Sequence, residues 1–149
     1  MKKYLKWMLV VAVAAAPAVW AAASKDDAVA LVKKAVVEYK KEGKDKLIAD
    51  VNKENGPFHK GDLYAFVFSL DGTVLAHPTF PDLRGTNEVE KPDVDGKMFR
   101  KEIVNGAKAG KSGWVEYKFK NPATGNIEPK LAYYEPAGDV IVISGIYKK

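Results

Sequence analysis

Asp71 is the first residue in this chain with the setting for chemistry, and its neighbours decide whether it performs any. It stands in Phe68-Ser69-Leu70-Asp71-Gly72-Thr73-Val74-Leu75. With an aspartate at position 69 this would be the D-x-D-G-T loop of aspartyl-phosphate phosphatases. There one carboxylate attacks phosphorus and a second acts as acid and base on the leaving group. Position 69 is serine, so the nucleophile is missing. Such an enzyme also needs parallel strands alternating with helices, whereas the downstream strand-like runs follow one another directly. Asp71-Gly72 between two apolar runs reads instead as a type I′ hairpin turn, whose positive φ angles Gly accepts freely and Asp tolerates.

The other reactive side chains are few. Cysteine is absent, which removes disulfides, thiolate nucleophiles, Cys-based zinc sites and c-type haem attachment. His59 and His77 are the two histidines and belong to unrelated segments, so no metal site is expected. No G-x-S-x-G, H-E-x-x-H or P-loop lysine occurs, and the chain reads as a non-enzyme without a cofactor. Nucleic acid is not an expected partner either. Arg84 and Arg100 are scattered among many lysines, and no basic cluster alternates with aromatics.

Stepping outward, residues 1–23 have the order of a secretory signal: lysines in Met1–Lys6, an apolar run, then Ala21-Ala22-Ala23 before Ser24. An uncleaved anchor is the other reading, but Pro17 and the shortness of the run weigh against a span. Cleavage predicts a periplasmic protein, with residues 24–149 as one domain. Three of the chain's 24 basic residues leave with the signal, which brings the remainder close to balance with its 19 acidic ones.

In that domain Ser24 and Asp27 form a capping pattern. Ala28, Leu31, Val32, Ala35, Val36 and Tyr39 then recur at helical spacing, and Leu47, Ile48 and Val51 predict a shorter second helix. "LYAFVFSL" reads as a central strand and "TVLAH" as its hairpin partner. A proline-rich crossing over 78–112 contains the helical "KMFRKEIVNGAKAG". "GWVEYKFK", "PKLAYYEP" and "VIVISGIYK" complete five strands. The expectation is an α+β fold: a long N-terminal helix on a five-stranded antiparallel sheet, with a pocket beneath the loop–helix crossing.

"LYAFVFSLDGTVLAHPTFPDLRGTN", then "DGK", then "GWVEYKFKNPATGNIEPKLAYYEPAGDVIVISGIY", resembles the single Cache domain, whose fold is PAS-like. The resemblance spans about 28–148. It rests on the hairpin ending His-Pro, the Pro-Lys-Leu-x-Tyr strand and the terminal Gly-x-Tyr strand. It implies an extracytoplasmic sensor of small organic acids such as acetate, propionate, lactate or pyruvate. No second membrane span or kinase segment follows before Lys149. The expected arrangement is therefore a free periplasmic binder for a small carboxylate, working in signal transduction or chemotaxis with a separate membrane sensor kinase or chemoreceptor. A homodimer through the N-terminal helix is a further expectation. The competing reading is a ligand-free interaction module that contacts such a kinase or chemoreceptor.

A carboxylate needs two to four convergent donors in a largely apolar pocket. Arg84, in "PDLRGTN", can supply a bidentate pair, or be a solvated loop arginine. His77 can donate a hydrogen bond near neutral pH, or merely satisfy a neighbouring carbonyl. Tyr117 shares its face with Val115 and Phe119 and can offer a hydroxyl, or be a core tyrosine. Trp114 could wall the pocket. Lys130 could bring an ammonium. The resemblance favours both Lys130 and Tyr133, yet residues three apart on a regular strand point to opposite faces, and the sequence leaves that conflict open.

Overall fold

The computed structural model describes residues 22–148. The predicted leader lies outside that range, except Ala22 and Ala23, which are irregular. Helix α1 (Lys25–Glu42) begins at the predicted cap. Ser24 Oγ accepts from Asp27 N at 3.2 Å, and Asp27 Oδ2 accepts from Ser24 N at 2.8 Å. Two orphan donors are thereby satisfied, with two carboxylates at the positive end of the helix dipole. Gly43, at φ +90°, ends α1, and α2 (Lys44–Val51) starts directly after it.

The main sheet runs antiparallel in the order β2 (Leu63–Ser69), β6 (Val140–Tyr147), β5 (Ile127–Ala137), β4 (Gly113–Lys120). Two short strands pair with the other edge of β2: β1 (His59–Lys60) near its start and β3 (Val74–Ala76) near its end. The sheet is thus six-stranded rather than five-stranded. The extra strand is two residues long, with too few positions to show a pattern in sequence. The last helix, α3 (Phe99–Lys108), lies within the crossing as predicted.

Strand β2 is apolar on both faces because both faces are covered. Ala65 and Val67 pack with Val32, Ala35, Val36, Leu47 and Val51 of α1 and α2. Tyr64, Phe66 and Phe68 face the other way, into an aromatic core with α3, Tyr117, Tyr134 and Tyr147. Each large apolar side chain so buried contributes about 1.5–3 kcal/mol. On β2, therefore, the face toward α1 and α2 holds small and β-branched residues, and the opposite face holds the rings.

Two local features place the residues that matter. In the hairpin, Ser69 O accepts from Gly72 N at 3.0 Å and Ser69 N donates to Thr73 O at 2.9 Å. Leu70 and Asp71 are then the central residues, and Gly72 alone takes positive φ, at +90°. This loop, closed by a left-handed glycine, replaces the predicted type I′ turn. The Asp71 carboxylate is consumed locally by the hydroxyls of Ser69 and Thr73 and by Thr73 N–H at 3.1 Å.

The second feature is a bulge in β3. Val67 pairs with Ala76 and Phe68 with Val74, leaving Leu75 extra. A regular strand would send Val74 and Ala76 to one face. The bulge instead gives Val74 to the aromatic core and Ala76 to the helix side. His77, next in the chain, then comes down on the aromatic side, stacked on Phe66. The crossing is tied down at two points. Val74 N donates to Thr86 O at 2.9 Å and Gly85 N to Val74 O at 2.7 Å, while Asp93 Oδ2 accepts from Lys118 N on the edge strand at 2.9 Å.

Candidate ligand-binding site

The pleat of β5 settles which residues reach the aromatic core. Lys130 shares a face with Ala132 and Tyr134 and is 1% exposed. Its neighbours in register are Tyr117 on β4 and Tyr147 on β6. Its Nζ lies 4.2 Å from the ring centre of Tyr64, 5.0 Å from those of Phe66 and Tyr147, and 5.6 Å from that of Phe119. Such faces attract a cation. Nζ donates to Tyr64 Oη at 3.0 Å, and Tyr64 Oη lies 2.9 Å from Tyr147 Oη. Tyr147 Oη spends its proton on Lys120 O at 2.8 Å, so Tyr64 must be the donor between the two phenols.

Among the described residues no carboxylate lies within ion-pair distance of Lys130. Burial therefore pushes its amine down to about 7, with the field of Asp62 opposing the shift. The same burial pushes the Tyr64 and Tyr117 phenols well above their ordinary range.

His77 stands beside this cage, 2% exposed. Its ring centre is 5.3 Å from Phe66, 5.0 Å from Tyr64 and 5.2 Å from Phe80. Backbone N–H groups of Phe80 (3.2 Å) and Thr79 (3.4 Å) donate to Nδ1, which assigns the ring proton to Nε2. Burial, then the charges of Lys130 and Arg84, hold its pKa well below the usual histidine value. His77 is therefore a neutral donor near neutral pH.

Tyr117 is 3% exposed and stacks on Phe99 at 3.8 Å between ring centres, with 4° between their planes. A cavity of about 20 Å³ lies under the crossing, lined by Phe66, His77, Phe99, Arg100, Tyr117 and Phe119 among others. That is room for about one water molecule.

Three expected site residues are elsewhere. Arg84 donates from Nε and Nη2 to His77 O (3.0 and 2.7 Å) and from Nη2 to Asn52 O (3.1 Å). Its guanidinium is committed to the backbone, fastening the turn after His77 to the end of α2. Tyr133 points to the helix side, where its hydroxyl donates to Glu135 at 3.4 Å. Trp114 is on that same face, 5.4 Å from the Tyr133 ring with Lys25 Nζ 4.8 Å above it. The pleat excludes both from the aromatic side once Lys130 points in, because β5 is regular through this stretch.

Tyr64, Tyr147 and Arg100 line the site although none of them is among the residues expected from sequence. Tyr64 shares parity with Phe66 and Phe68, a signal of face but not of partner. Arg100, 8% exposed, pairs with Glu88 at 3.5 Å and donates to Lys91 O at 3.3 Å, its guanidinium 4.3 Å from the Phe99 ring centre.

This fold has known counterparts. A methyl-accepting chemotaxis protein from Vibrio parahaemolyticus RIMD 2210633 superposes with TM-score 0.70 at 20% identity, over 83% of this chain and 87% of that one. A Cache chemosensory domain solved for carboxylic acid recognition superposes with TM-score 0.71 at 19% identity, over 83% and 92%. At these identities the likeness establishes a shared fold. The family model of Single Cache domain 2 matches residues 22–149. The chain belongs to this Cache family. The sensor histidine kinase MctS of Rhizobium johnstonii is 38% identical to this Cache domain over 72 residues. That match takes in 48% of this chain and 15% of the kinase, so the domain spans a small part of its curated relative. Among the described residues no helix is long and apolar enough to cross a membrane.

Proposed function

We propose that this Cache domain is an extracytoplasmic, non-enzymatic sensor of a small organic acid, whose carboxylate pairs with Lys130. The observation that carries the reading is an ammonium buried among four aromatic rings, with one hydroxyl acceptor and, among the described residues, no carboxylate within ion-pair distance. A buried charge without a partner is costly, and an anionic ligand removes that cost. His77 Nε2–H and the Tyr117 hydroxyl supply further donors from adjacent walls. The acid-recognising Cache chemosensory domain of the same fold supports this choice of ligand. Signalling then passes to a membrane histidine kinase or chemoreceptor, the classes to which the relatives belong.

A C2–C4 acid is larger than the cavity of about 20 Å³, so binding requires the crossing and its rings to move outward. The same observation favours the second reading, a closed domain that acts only through protein contacts. A thermal-shift screen with acetate, propionate, lactate and pyruvate separates the two. Ligand at a hundredfold excess over Kd stabilises by about 2.7 kcal/mol. The sensor reading expects that shift in the native protein and its loss in Lys130→Met. Unchanged melting with every acid leaves the interaction module.

A further inference from the structure

We propose that the site takes a singly charged acid together with one proton from solvent, delivered to Lys130, so that the cavity buries a neutral pair. This rests on the carboxylate reading above and adds the ligand's charge and the linkage to pH.

The inference comes from accounting for every charged or titratable group that faces Lys130. On β2, Tyr64 accepts from Nζ and passes its own proton to Tyr147 on β6, which gives its proton to Lys120 O. On β4, Tyr117 is a neutral phenol held protonated by burial. In the turn after β3, His77 is neutral, with Nδ1 occupied by backbone donors. Asp62, ahead of β2, acts on Lys130 only through its field. Two guanidinium groups lie in the surrounding elements, and both are engaged. Arg84 is held by the carbonyls of His77 and Asn52, and Arg100 of α3 is paired with Glu88. Among the described residues, one buried basic group is therefore left for one negative charge.

Two consequences follow. A second carboxylate on the ligand would meet only Arg100, already paired with Glu88, and would lack a cation of its own, which a largely apolar site rejects. And since desolvation has already loosened the proton on Lys130, a bound carboxylate beside Nζ must pull it back. Binding therefore absorbs a proton wherever the free site has lost one, and affinity declines as pH rises above about 7.

Isothermal titration of the purified protein with sodium acetate and sodium propionate tests this, run from pH 6 to pH 9 in buffer pairs of different ionisation enthalpy. The expected result is about one proton absorbed per ligand at pH 8.5, approaching none at pH 6, with affinity falling about tenfold per pH unit above 7.5. Succinate should bind at least about tenfold more weakly than propionate throughout. Lys130→Met serves as the second arm. It should abolish proton uptake along with binding, while circular dichroism confirms its fold. Acetate or propionate binding without proton uptake, or succinate binding as tightly as propionate, overturns this inference and leaves the carboxylate reading standing. No binding of either monocarboxylate at any pH overturns both.

Discussion

Replacing Lys130 with Met should stabilise the folded protein near neutral pH, and the gain should vanish as the solution becomes alkaline. The Lys130 amine titrates near 7 in the folded state and near 10.4 in the unfolded chain. Between those values the unfolded chain holds a proton that the native state does not. Stability of the native protein therefore rises with pH across this window, at about 1.4 kcal/mol per unit. Between pH 7 and 10 the accumulated rise is about 4 kcal/mol, an order-of-magnitude figure for a fully buried group. Met keeps most of the side-chain volume and cannot titrate, so its curve lacks this component. The variant should exceed the native protein by about 4 kcal/mol at pH 6–7, and the gap should close towards pH 10. Above pH 10 the buried Tyr64 and Tyr117 phenols resist ionisation in the folded state, which lowers stability in both proteins alike. Urea unfolding followed by tryptophan fluorescence at half-unit steps from pH 6 to 9.5 measures the gap. Two parallel curves would refute a depressed Lys130 and, with it, the argument from an unpaired buried amine.

His77 is depressed below its unfolded value. The native state therefore loses stability as pH falls through 6.5, and urea midpoints from pH 7 to 5 should drop less steeply in His77→Gln than in the native protein. Tyr64→Phe removes the acceptor of Lys130 and the donor to Tyr147, and denaturant unfolding should show a loss of about 1–3 kcal/mol. At Gly145 a Cβ would meet Leu131 O at 2.6 Å and Ala132 Cα at 2.8 Å, both backbone atoms. Gly145→Ala should therefore cost about 1–3 kcal/mol in the same measurement. Tyr133→Phe and Trp114→Phe lie on the helix side of the sheet and should leave carboxylate-induced melting shifts unchanged; a lost shift would place the ligand on the wrong face.

The sequence was most informative where local rules act alone. Ser24 and Asp27 are three residues apart, and that spacing is the capping box seen at the start of α1. Alternation in Val115–Phe119 placed Tyr117 on one face with its two apolar neighbours, the face that packs into the aromatic core. The missing carboxylate at position 69 favoured a hairpin over a phosphatase loop, and a hairpin joins β2 to β3. Where the outcome depended on a second segment, the reading ran out. Arg84 is a good carboxylate donor by type, but Asn52 and His77 bring carbonyls to it from two other parts of the chain. The conflict between Lys130 and Tyr133 was visible in the strand period, yet which of them turns inward depended on pairing with Tyr117 and Tyr147.

By itself, then, the chain determined its elements, its two-faced sheet and the kinds of residue available to a site, because caps, turns and periodicity act over a few residues. Tertiary packing decided the rest. One bulge at Leu75 turned His77 to the aromatic side, register fixed Lys130 between two tyrosines, and enclosure by rings weakened that lysine's hold on its proton. Desolvation and partner choice are properties of distant segments meeting, and no local pattern encodes them.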